Sequence, residues 1–152
     1  MDFETLIAAL GGKLGVELDG TDGACGLDVD GVDIVLQAAG DMLLVHTDLG
    51  EPPPQDPAAL FRAMLEANFL YGGTGGATLA VSPSDGHAHL QKYTWLERLD
   101  AEGALLFVDR FAETAAHWRT LLADYRPDAP GAASAAPSAA TAPDAAGAFL
   151  PV

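Results

Sequence analysis

The chain has a single cysteine, Cys25, in 152 residues. No internal disulfide is available, and a reducing compartment is the simplest setting. Basic residues are scarce: 7 Lys and Arg stand against 22 Asp and Glu, for a formal net charge of −15. Nucleic-acid binding needs Lys and Arg to neutralise phosphates, and no basic cluster is present to do it. Anionic membrane surfaces would repel the chain for the same reason. Long apolar runs are also missing. None approaches the ~18–20 residues that span a bilayer. The opening "MDFETLIAALGG" has neither the basic start nor the long apolar centre of a signal peptide. These absences exclude nucleic-acid binding and membrane insertion, and predict a soluble, cytoplasmic, single-domain protein.

What is present is a change of hydrophobic period along the chain. Phe3, Leu6, Ile7, Leu10 and Leu14 recur at helical spacing behind Asp2, a capping residue. From Cys25 the period becomes two. Cys25, Leu27 and Val29 alternate with Gly26, Asp28 and Asp30, Asp30-Gly31 reads as a hairpin turn, and Val32, Ile34 and Leu36 resume the alternation. Gly40-Asp41 turns into a third strand over 42–47. After "EPPPQ", Asp56 caps and Pro57 opens a second helix carrying Leu60, Phe61, Met64, Leu65, Asn68 and Phe69. Two more strands, "ATLAVSP" and "HAHLQKYTWL", precede a third helix from about Asp100 to Tyr125. The order is α-β-β-β-α-β-β-α, an α+β fold with a twisted antiparallel sheet over residues 1–125. Residues 126–152 are rich in Ala and Pro and read as a flexible tail, whose final "AFLPV" is a candidate docking peptide.

Four glycines in "YGGTGGATL" raise the question of a phosphate loop. A phosphate cradle leads from a strand into a helix N-terminus. Here the glycines follow a helix and precede a strand, and no lysine lies between Lys13 and Lys92. The loop is read as structural, with Gly72 as the left-handed residue that ends the helix.

Other chemistry is no better supported. His87 and His89 share a strand face and His46 lies on another strand, but no Cys/His cluster accompanies them. Cys25 sits on the apolar parity of its strand, as a core residue does. The acids around 28–33 occupy turn and outward positions, unlike a catalytic pair in a desolvated pocket. No enzyme, metal site or cofactor is read from these residues. A surplus of hydrophobicity remains, since Val35, Met42 and Leu44 put bulky side chains on the parity opposite the core.

The stretch "LFRAMLEANFLYGGTGGATLAVSPSDGHAHLQ" resembles the centre of class I type III secretion chaperones, the Tir-chaperone (CesT-like) family. The likeness in element order extends over residues 3–125. It implies a cytoplasmic homodimer that holds an extended N-terminal segment of a secreted effector in a secretion-competent state. It further implies a dimer interface of Leu60, Phe61, Met64, Leu65, Asn68 and Phe69. Partner binding would fall to Phe3, Ile7, Leu10, Val35, Met42 and Leu44. A regulatory member of the same fold, sequestering a regulator of secretion gene expression, is the close alternative. A small metal- or ligand-binding enzyme using His46, His87 and His89 is the alternative from a different class.

Overall fold

The computed structural model describes residues 1–126, so the segment 127–152, with its "AFLPV" end, lies outside the described residues. Helix α1 (Phe3–Leu14) starts where the Asp2 carboxylate accepts the Thr5 N–H at 2.8 Å and stops at Gly15, whose φ of 70° suits a residue without Cβ. Strands β1 (Ala24–Val29), β2 (Val32–Ala39) and β3 (Met42–Gly50) form the expected meander. At the first turn Asp30 and Gly31 both take positive φ, as a two-residue hairpin requires. Helix α2 (Pro57–Asn68) follows its Asp56 cap, then β4 (Thr78–Val81), β5 (Ala88–Trp95) and α3 (Ala101–Ala123), the last capped by Asp100. The architecture is α+β, in the order α-β-β-β-α-β-β-α.

All strand pairs are antiparallel, and the sheet runs β1-β2-β3-β5-β4. β3 extends three residues beyond the predicted Thr47, because a bulge at 48–50 lets Gly50 pair with Ala88 of β5. Residues directly opposite one another in such a ladder share a face. Cys25, Leu36 and Val45 therefore point to one side, as do Ile34, Thr47, Leu90 and Leu79, and these side chains are buried. Helix α3 lies across β2 and β3 on this side, and α1 packs on α3. Phe111, Ala115, Trp118 and Leu122 of α3 close the core together with Phe3, Leu6, Ile7 and Leu10 of α1.

The glycine loop joins α2 to β4 and carries a correction. Gly72 is right-handed at φ −62°; the left-handed residues are Leu70 and Tyr71, at φ 51° and 56°, then Gly75 and Gly76. The reversal thus begins two residues early, in a short 3-10 turn over Phe69–Tyr71. Gly73 serves close approach instead: a Cβ there would stand 2.8 Å from the Cβ of Ala67. Trp118 Nε1 donates to Gly73 O at 2.9 Å and Lys92 Nζ to Gly75 O at 2.8 Å, which fastens the loop to α3 and the sheet.

Candidate binding surfaces

Helix α2 divides its apolar residues between two faces. Leu60 and Met64 turn inward and are buried in the core. Leu65 and Phe69 lie on the outer face, 70% and 73% exposed, and Phe61, four residues before Leu65, is half-buried at the edge of that stripe and also packs against the core. Leu70 and Tyr71 extend this patch, also exposed. Two consecutive bulky residues in the left-handed region cost on the order of 1–3 kcal/mol each. Asn68 has a different task. Its Nδ2 donates to Leu79 O at 3.0 Å and its Oδ1 accepts from Leu79 N at 2.9 Å. One side-chain amide thus imitates a neighbouring strand at the free edge of β4 and fixes α2 against the sheet.

The second surface is the face of the sheet turned away from the helices. The ladder register aligns Val35, His46 and Gln91 in one row, Leu44 and Tyr93 in the next, and Met42 and Trp95 in the last. Val35, Met42 and Leu44 are half-buried, Tyr93 is 67% and Trp95 44% exposed. Three of the predicted partner-binding residues lie here, and three do not. Phe3, Ile7 and Leu10 belong to the chain's own core, because α1 has one apolar stripe and the sheet and α3 take it. Ile7 and Leu10 present no open surface, and Phe3, 6% exposed, reaches solvent only at the start of α1.

Tyr93 and Trp95 were missed by sequence reasoning. The buried parity of β5 is Ala88 and Leu90, but it continues into Lys92 and Thr94 while the aromatics take the other parity. Lys92 fits the inner side because its ammonium reaches Gly75 O and stands 5.3 Å from the Phe107 ring centroid. The available signal was the Tyr93/Trp95 alternation out of phase with Ala88 and Leu90.

His46 and His89 lie on the outer sheet face and His87 just before β5; the described residues contain no group of three or more His, Cys, Asp or Glu able to hold a metal ion. His87 Nδ1 lies 2.8 Å from Asp48 Oδ2. This bond raises the His87 pKa above its ordinary 6.5. Burial would raise Asp48, but the His87 bond and the Gly50 N–H outweigh it and hold the carboxylate below 3.8. Stability from the pair is therefore present above about pH 3.8 and below about pH 6.5, is lost as pH falls through the depressed Asp48 value, and is lost again as pH rises through the raised His87 value. His46 goes the other way: burial, then the proximity of His89, lowers its pKa, so its contribution is present above about pH 6.5 and is lost as pH falls through the depressed His46 value. Imidazole resonances followed by NMR should titrate on opposite sides of 6.5, and Asp48→Asn should return His87 toward it while leaving His46 in place. A common midpoint for both rings would contradict the assigned contacts.

Among the described residues two apolar surfaces stay uncovered, the outer face of α2 and the outer face of the sheet. Residues 5–119 match the model of the Tir chaperone protein (CesT) family, and the chain belongs to that family. It is a family of chaperones, not of enzymes. No curated protein matches the sequence. Among solved structures, the HopA1–SchA chaperone–effector complex contains a chain 21% identical, with a TM-score of 0.63 over 76% of this chain and 91% of that one. A chain of the ExsC–ExsE complex is 19% identical, with a TM-score of 0.66 over 80% and 97%. A chain of the heterodimeric ExoU–SpcU complex from the type III secretion system of Pseudomonas aeruginosa is 20% identical, with a TM-score of 0.63 over 80% and 98%.

Proposed function

We infer that the protein is a type III secretion chaperone that works in the cytoplasm as a homodimer. It holds an extended N-terminal segment of a secreted effector across the outer face of its sheet. The observation that carries this reading is the set of bulky side chains, Val35, Met42, Leu44, Tyr93 and Trp95, left uncovered by the helices of the described residues. An extended segment can seat alternate side chains on such a face and remain unfolded. It gives up conformational entropy on binding, so several anchors are needed, and the face offers them. The net charge of −15 keeps the open platform soluble between clients. Likeness in fold to a chaperone–effector complex supports the same reading.

The homodimer rests on the outer stripe of α2. Phe61, Leu65 and Phe69 form the contact, while Leu60, Met64 and Asn68 hold the helix in place from its inner side. A stripe repeated at the same position on two copies is self-complementary about a two-fold axis.

The test is capture of the tagged protein from its host while secretion is induced, followed by mapping of the retained fragment after limited proteolysis. One dominant secreted partner, protected over an N-terminal segment and released by Leu44→Asp, is the expected result. A transcription regulator as the dominant partner would transfer the platform to regulation of secretion genes. A partner unaffected by Leu44→Asp would remove the sheet face from the account.

A further inference from the structure

An open groove of about 470 Å³ lies between the start of α1, the β2–β3 turn and the end of β5. Met1, Asp2, Phe3, Asp41, Trp95 and Glu97 line it. The charged groups are the carboxylates of Asp2, Asp41 and Glu97 and the Met1 ammonium, which acts on Asp2. Among the described residues Asp41 and Glu97 take part in no ion pair, and no lysine or arginine lines the groove. Trp95, partly exposed, lines the same groove. Trp95 also pairs with Met42 in the sheet, so the groove and the outer apolar face share this residue.

We propose that this groove receives a basic side chain of the bound segment, an arginine by preference, held between the Trp95 indole and the carboxylates of Asp41 and Glu97. The chemistry is complementary on both counts. An aromatic face attracts a cation, Trp most strongly, and a planar guanidinium can stack on it while donating to carboxylates. An ammonium can do only the second well. The negative field of the whole chain draws such a segment toward the site, and its apolar residues then extend along Tyr93 and Leu44. The position of the segment rests on the sheet-face reading above; the preference for a cation is measured separately.

The probes are two short synthetic peptides of alternating valine and serine, one ending in arginine and the other in citrulline, its uncharged isostere. Each is titrated into the full chain while the Trp95 indole N–H is followed by NMR. Trp118, whose indole N–H is buried and bonded to Gly73 O, serves as internal reference. The arginine peptide should bind about tenfold tighter, a difference of about 1.4 kcal/mol. The advantage should shrink with added salt and disappear in the Asp41→Asn/Glu97→Gln variant. Both substituted residues are exposed, so the melting temperature should stay unchanged. Equal affinities for the two peptides, or an arginine advantage that survives the double substitution, would overturn the groove assignment and leave the platform standing. Binding of neither peptide would take down both.

Discussion

Replacing Leu65 by aspartate is expected to turn the proposed dimer into folded monomers. Leu65 is exposed in the single chain, so its loss removes nothing from the core. In a two-fold interface the substitution occurs twice. Burial of a leucine is worth ~1.5–3 kcal/mol on each side. Burying an unpaired carboxylate instead adds a further penalty of several kcal/mol. Counting only the lost burial, ~3–6 kcal/mol, dimer dissociation should increase by at least about two orders of magnitude. Sedimentation equilibrium across a dilution series reads this directly, with circular dichroism to show that the fold is retained. Leu60→Asp is the informative contrast: Leu60 faces the core, so that variant should lose the fold itself. Leu65→Asp that still dimerises at wild-type affinity would remove the outer stripe of α2 from the interface.

The second large effect is expected at Asn68. Replacement by alanine removes both partners of the Leu79 backbone, an N–H and a carbonyl at the edge of the sheet. Each loss costs ~1–3 kcal/mol to the extent that the group stays shielded from water. A combined loss of ~2–6 kcal/mol is a large share of the ~5–15 kcal/mol that stabilises a domain. Urea unfolding should show it as a lower midpoint at unchanged slope. Asn68→Asp keeps the acceptor for the Leu79 N–H but sets a carboxylate oxygen against the Leu79 carbonyl, so it should not rescue stability. A change below about 0.5 kcal/mol for the alanine variant would mean that water replaces the amide without cost. Since this amide joins α2 to β4, the same variant should also weaken dimerisation if α2 is the contact helix.

These two residues show how far the sequence could be read. Leu60, Phe61, Met64, Leu65, Asn68 and Phe69 stood out together as one broad stripe, because helical spacing reveals which residues are apolar neighbours. It does not reveal which neighbours meet the sheet. The structure sends Leu60 and Met64 inward, leaves Leu65 and Phe69 outside, and gives Asn68 a hydrogen-bonding role that no pattern announces. The same limit appears in α1. Phe3, Ile7 and Leu10 form a correct amphipathic face, and only packing shows that α3 and the sheet occupy it. In β5 the limit is sharper. Tyr93 and Trp95 alternate out of phase with Ala88 and Leu90, yet only the structure shows that Lys92 and Thr94 continue the inner parity while the aromatics stay outside.

Local physics was enough to determine the elements of this protein. The Asp2, Asp56 and Asp100 caps, the Asp30-Gly31 and Gly40-Asp41 turns and the switch from helical to strand period depend on residues close in sequence, so they are legible there. The direction of the glycine loop, helix into strand, likewise excluded a phosphate cradle without coordinates. Only tertiary structure decided which apolar face stayed open. A sheet has two faces, and the helices of the described residues cover one. The outer row of Val35, Met42, Leu44, Tyr93 and Trp95 is free because α1 and α3 settle on the other side, through contacts between residues far apart along the chain.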